Sequence, residues 1–246
     1  VCAVRGVSDF VLRPFAVRPE KAGVFQGIVG TVTCALLVAV VAFPMGVAAA
    51  VYLEEYAHDN WFTRIVNLVI RNLAGVPAIV YGLLGFALFV DGPFTGFTGG
   101  TTLLSTGLTL SILVLPIVVI TSAEAIRAVP SALREGGYGV GATRWEVTRT
   151  LVLPNAIGGM LTGTILGLAR ALGEAAPLFF MGAKTSIFSG GEWGDLRGDF
   201  TALPMIISDW ATRPATKWNG NTQAAILVTL VLVLGINTVG IVLRNH

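Results

Sequence analysis

Arg170 and Glu174 stand four residues apart in a stretch, Ile157–Gly182, that holds no other Asp, Glu, Lys or Arg. On a helix, positions i and i+4 share a face, so both side chains can point into one space. A guanidinium there offers a planar fork of donors that fits an oxyanion. The carboxylate beside it can orient that fork or accept a proton. Two readings fit the residues alone: the charges neutralise each other, or they serve a passing anion. The basic-before-acidic order is the weaker orientation for self-pairing. Pro177 cannot donate to the carbonyl of Gly173, which predicts a helix kinked or opened beside Glu174. A second group, Asn67, Arg71 and Asn72, precedes a Gly75-Val76-Pro77 break in another apolar stretch. Gly/Pro interruption of a hydrophobic helix points to a transport pathway. The plainer alternative has Arg71 snorkelling to the membrane interface and Pro77 kinking a packed helix. Tyr81 reads as a packing residue.

The elements around these residues are set by an unusual shortage of charge. Only 12% of the 246 residues are charged and mean hydropathy is +0.78, too apolar to solvate a globular surface. Charge-poor runs predict five membrane spans, near Phe25–Leu53, Ile65–Val90, Leu103–Ala123, Ile157–Gly182 and Gln223–Leu243. Each can hold the roughly 20 apolar residues needed to cross a bilayer. Uniformly apolar runs argue for helices and against barrel strands, so the fold class is an all-α polytopic membrane protein.

Composition also excludes chemistry. No basic block invites nucleic acid. Two histidines and two cysteines, far apart in sequence, give no metal set and no disulfide framework. No Ser/His/Asp constellation is available. Gly182-Ala183-Lys184-Thr185 lacks the glycine that a phosphate-binding loop needs before its lysine, so it offers no nucleotide-binding loop. Arginine and lysine are nearly balanced between the two sides, which leaves orientation open.

Residues 124–154 are amphipathic. Pro130-Ser131 offers a helix start with Ser131 as N-cap, and Gly141 a glycine stop. A second helix, Arg144 to Leu153, then leads towards the membrane, with Pro154 at the junction. An interfacial helix pair on the headgroups and a docking site for another protein fit equally well. Phe200–Trp210 reads as an interfacial helix anchored by Trp210.

Glu135-Gly136-Gly137, then Gly141, then Leu151-Val152-Leu153-Pro154 resemble the signature E-A-A-x3-G-x9-I-x-L-P of the membrane subunits of ABC importers. Both alanines are glycines here, each costing about 1 kcal/mol in helix propensity, and Leu151 stands where isoleucine is usual. Further segments resemble the PstA-type permeases of the phosphate-specific importers: Arg18–Gly23, Tyr52–Ala57, Asn72–Pro77, Ala169–Glu174 and Phe200–Pro204.

That resemblance implies a MetI-like transmembrane fold over residues 25–243, preceded by a periplasmic segment 1–24. Five spans are visible and six are expected in the full-length protein. Residues 124–154 would be the cytoplasmic coupling segment, with Arg134, Glu135, Gly141, Leu153 and Pro154 engaging an ATPase. Residues 183–222 would form a periplasmic loop. Arg170, Glu174 and Arg71 would line the substrate pathway, with helix breaks at Pro77 and Pro177. The implied partners are a homologous PstC-type permease, two PstB-type ATPase subunits that use ATP and Mg, a periplasmic phosphate-binding protein, phosphate itself and the lipid bilayer. The chain itself would bind no cofactor and catalyse nothing, in a bacterial or archaeal cytoplasmic membrane. Sulfate- and molybdate-type permeases resemble the same Arg…Gly-Glu core, while Ala175-Ala176-Pro177 looks like the phosphate branch. A self-contained anion carrier would need inverted repeats and its own ion site, and neither is seen. A scaffold or sensor would have no reason to keep Arg170 and Glu174 in the bilayer.

Overall fold

Backbone groups in lipid have to be satisfied within their own segment, and the chain meets that demand with helices. The computed structural model describes residues 7–16, 18–183, 196–213 and 218–245. Its helices are α1 (Val7–Leu12), α2 (Phe25–Val51), α3 (Trp61–Ala74), α4 (Ala78–Gly85), α5 (Thr95–Thr98), α6 (Leu103–Arg127), α7 (Ser131–Gly139), α8 (Arg144–Val147), α9 (Leu153–Gly173), α10 (Ala176–Phe180), α11 (Leu203–Thr212) and α12 (Asn219–Asn245). Three π-helical turns prolong or join them: Tyr52–Tyr56 after α2, Phe86–Val90 after α4, and Thr148–Val152 between α8 and α9. Residues 1–6 of the predicted N-terminal segment lie outside the described residues, as do 184–195 and 214–217 of the predicted 183–222 loop, Lys184 and Thr185 among them.

Among the described residues, four helical stretches are long and apolar enough to span a membrane: Phe25–Tyr56, Leu103–Arg127, Arg144–Gly173 and Asn219–Val242. They contain the first and third predicted spans, the fifth up to its last residue, and most of the fourth. The second, Ile65–Val90, is not one rod. It divides into α3 and α4, which meet at 103°, with Pro77 as the N-cap of α4 in an extended conformation. Proline has no N–H of its own and forces its predecessor out of helical geometry, so the predicted break turns the chain through a corner instead of kinking a single helix. The fourth span behaves as predicted at its far end: α9 stops at Gly173 and Glu174 is extended.

α6 is the central helix, with α2 and α9 packed along it. Glycine sets the closeness of the α6–α9 crossing. Gly159, Gly163 and Gly167 recur every four residues, and a Cβ on each would collide with Ala125, Thr121 and Val114 of α6 respectively. Small residues at this spacing let two membrane helices approach backbone to backbone, where dispersion rather than the hydrophobic effect holds them. Gly46 against Val118 and Gly107 against Leu37 do the same for α2 and α6.

At the other end of the bundle from α7, the N-terminal segment folds beneath α11. Phe15 stacks on Trp210 at 6.0 Å between ring centroids, and Trp218 lies 5.3 Å from the same ring. Trp210 is fully buried. It is therefore a core residue of this end and not the headgroup anchor that its sequence position suggested.

Gly163→Val should abolish recovery of monodisperse protein in size-exclusion chromatography, because the added side chain meets Thr121. Gly158→Val should be tolerated, because a Cβ there meets nothing nearer than the Arg244 Cγ at 3.9 Å.

Candidate functional site

The two broken spans are packed against each other at their breaks. α4 lies along α10, and a Cβ on Gly82 would sit 2.9 Å from the Cα of Pro177. The Tyr81 hydroxyl donates to the Leu73 carbonyl at 2.8 Å, where α3 ends and the Val76 amide already donates to the same oxygen at 3.1 Å. Tyr81 is otherwise buried, as expected of a packing residue.

Arg170 comes to this corner from α9. It follows the Gly159–Gly163–Gly167 stripe by three residues, which places it roughly 60° round the helix from the face on α6. Its Nη1 approaches the Ala74 carbonyl at 3.5 Å, and its Nε lies 3.7 Å from a Glu174 carboxylate oxygen. Among the described residues the guanidinium makes no shorter hydrogen bond or ion pair. Its side chain is 40% exposed, so within this chain it faces open space.

Other arginines are held differently. Arg127 grips Glu54, with Nε donating at 2.7 Å, and Arg213 reaches Asp209 at 2.7 Å. Arg170 is thus a cation in the last turn of an apolar, span-length stretch, held by two long contacts. Arg71 sits in the last turn of α3, one turn before Ala74, exposed and with no hydrogen bond or ion pair among the described residues. It lies about 15 Å beyond Trp61 along α3, towards the Arg170 corner and away from the α2–α3 link. Arg64 and Asn67 share its face of α3 at helical spacing. In the link itself, a hydrogen bond from Arg64 and the charge of its guanidinium hold the Asp59 carboxyl below the usual range.

The other sequence-predicted group is separate from this corner. α7 spans Ser131–Gly139, with Pro130 at the N-cap position and Ser131 already inside the helix, making no capping bond. The predicted glycine stop holds: Gly141 has φ +83°, a left-handed conformation that favours glycine. The two glycines of the signature differ in kind. A Cβ at Gly137 would lie 2.7 Å from Val147 Cγ2, whereas Gly136 has open space around it. Glu135 is exposed, and Val140 at the tip is 85% exposed, with Tyr138 and Trp145 also open. Leu153 is packed and Pro154 exposed in the first turn of α9. The preceding π-turn absorbs the proline, so helix runs unbroken from Arg144 to Gly173.

Arg134 turns inward. It donates to the Glu55 carboxylate and to the carbonyls of Val129 and Ile126. Sequence reasoning missed Glu54 and Glu55 as partners of Arg127 and Arg134. The signal was two carboxylates closing one charge-free run and two arginines, Arg127 and Arg134, following soon after the end of another. It also missed the Thr143–Glu146 capping box, a plain T-x-x-E pattern, in which the Thr143 amide donates to Glu146 at 2.7 Å.

Residues 42–246 match the family described as "Binding-protein-dependent transport system inner membrane component". A phosphate transport system permease protein PstA of Mycobacterium leprae is 35% identical over 93% of this chain and 73% of its own length. A PstA of Xylella fastidiosa is 32% identical over 92% and 77% respectively. A probable ABC transporter permease protein, YqgH, of Bacillus subtilis is 35% identical over 86% and 68%. Among solved structures, the inward-facing MetNI methionine ABC transporter aligns with a TM-score of 0.67 at 18% identity, covering 90% of this chain and 94% of that one. An amino acid ABC transporter aligns with a TM-score of 0.60 at 17% identity, over 90% and 92%. At those identities the likeness establishes the fold, which is all-helical and MetI-like.

Gly82→Ala should force α4 away from the Pro177 backbone and widen the corner around Arg170. The expected outcome is correctly assembled protein with clearly reduced transport, read as substrate uptake per assembled complex.

Proposed function

The chain belongs to the family of binding-protein-dependent transport system inner membrane components, and from that premise we propose that it is the permease subunit of an ABC importer for inorganic phosphate. The observation that carries the proposal is Arg170, charged, loosely held and open, at a corner where two interrupted spans meet. A charge at mid-bilayer costs about 2.5–3.5 kcal/mol on insertion scales unless it faces a partner or water. Broken helices at that depth are tolerated where they line a cavity. A transiting phosphate would take the guanidinium fork through two oxygens, and Glu174 would orient the fork or receive the proton that hydrogen phosphate carries. Arg71 would supply a second positive charge on the α3 side.

Several features fit a complex larger than this chain. The exposed apolar residues of α3 and α12 suit lipid and a homologous permease of the PstC type, which would close the pathway over Arg170. The α7 tip, with Val140, Tyr138 and Trp145 open beside Glu135, suits the groove of a cytoplasmic ATPase; two copies of the PstB type, using ATP and Mg, would drive the cycle. A periplasmic phosphate-binding protein would deliver substrate at the α11 end. This orientation puts α7 in the cytoplasm and the protein in a bacterial or archaeal cytoplasmic membrane. The substrate assignment draws on the phosphate transport relatives and on the Ala175-Ala176-Pro177 sequence beside the site.

In proteoliposomes holding the whole transporter, Arg170→Ala should abolish ATP-dependent phosphate uptake while the ATPase still co-purifies. Arg170→Lys, which keeps the charge but loses the fork, should retain a minor fraction. Excess sulfate should not compete with uptake by the native complex. Normal uptake by Arg170→Ala would remove the residue from the pathway, and equal competition by sulfate would remove phosphate as the preferred substrate. Glu135→Lys should weaken capture of the ATPase in a pull-down.

A further inference from the structure

Glu54 and Glu55 are consecutive, yet they hold two different elements. They lie in the π-turn Tyr52–Tyr56 that ends α2, and consecutive helical residues diverge by roughly 100°. Glu54 therefore meets Arg127, the last residue of α6, which donates through Nε at 2.7 Å and through Nη2 to the other carboxylate oxygen. Glu55 meets Arg134 of α7, which donates to it from Nε at 3.1 Å and from Nη2 at 2.9 Å. The same guanidinium donates to Val129 O at 2.7 Å and Ile126 O at 2.9 Å. Those carbonyls lie at and just beyond the C-terminal end of α6, where a helix leaves acceptors open and carries partial negative charge. Glu55 is 5% exposed, so this carboxylate depends on Arg134 for its charge balance. A third contact joins the same turn: the Arg144 guanidinium lies 5.4 Å over the Tyr56 ring.

α7 is thus tied to the ends of α2 and α6 by side chains, beyond the short 128–130 link that joins it in sequence. From the same turn the chain passes through residues 57–60 into α3, whose far end presents the Ala74 carbonyl to Arg170. We propose that Glu54 and Glu55 are positioning residues that make α7, the end of α2 and the end of α6 move as one body, so that displacement of α7 is transmitted to the Arg170 corner. Closely packed, fully bonded elements have discrete arrangements and pass displacement on instead of absorbing it. The inference rests on the reading of α7 as the ATPase docking helix.

The test uses the complete transporter in proteoliposomes, with phosphate uptake and ATP hydrolysis measured together. Glu54→Arg places two cations face to face, and Glu55→Gln removes a charge with little change of shape. Each should lower phosphate imported per ATP about tenfold while the subunits still co-purify and ATP is still hydrolysed. The reciprocal Glu54→Arg/Arg127→Glu variant should restore the ratio to within about twofold, as a coupled pair requires. Native stoichiometry in both single variants would overturn the proposal, as would an intact complex of the reciprocal variant that stays uncoupled. Glu135→Lys separates this outcome from failure of the docking reading. If that variant keeps full ATPase capture and uptake, the docking reading fails. If it loses capture while Glu54→Arg and Glu55→Gln stay coupled, only the positioning role fails.

Discussion

A charge set in or against a bundle as apolar as this one has to be answered by an opposite charge, by a polar backbone or by water, and the arginines packed on it are sorted by which answer they receive. Arg127 and Arg134 are answered by carboxylates at short range. Arg213 lies against Asp209 and over the Trp218 ring, 4.5 Å from its centroid. Arg170 has a carboxylate at 3.7 Å and one backbone carbonyl at 3.5 Å. The architecture around it follows from that incomplete answer. Two spans are interrupted beside Arg170, their breaks are packed together, and the released carbonyl groups soften an environment that would otherwise be hydrocarbon.

The same architecture links the site to the α7 end of the molecule. Arg144 and Arg170 belong to one uninterrupted helical stretch, so roughly 39 Å separates them along a single rod. The glycine stripe of α9 presses that rod against α6, leaving little room for independent sliding. α3 provides the second arm, beginning just after the Glu54–Glu55 turn and ending at Ala74. Both arms therefore start near α7 and converge on the guanidinium. A structure of this kind can move a gate at one end by moving a handle at the other, provided the joints at the handle do not slip.

Much of this was legible in the sequence because lipid leaves few options. Runs without charge marked the spans, and Pro177 marked the opening beside Glu174. Gly141 marked the end of α7. What was not legible depended on tertiary geometry. Gly75-Val76-Pro77 announced a break, but whether it would bend a helix or turn the chain through 103° depends on what packs against α4, and that is α10. Trp210 sits in an amphipathic helix like an interfacial anchor, yet Phe15, from a segment distant in sequence, and Trp218, eight residues on, close over it. Arg134 was expected to face an ATPase, and its inward turn is set by Glu55, 79 residues away. The Gly159–Gly163–Gly167 spacing and the Thr143–Glu146 cap were both written in the sequence as short patterns, hidden only by attention to the charged residues.

The central claim is that Arg170 projects into a watery route through the assembled transporter. A cysteine at this position, with Cys2 replaced by serine and the buried Cys34 left in place, reads that environment directly. A watery route at Arg170 predicts rapid modification of Arg170→Cys in the assembled complex by a charged, membrane-impermeant methanethiosulfonate. It also predicts that the aminoethyl reagent, by putting a cation back, returns part of the phosphate uptake. Modification by lipid-soluble maleimides alone, with no reaction from water in any nucleotide state, would contradict it.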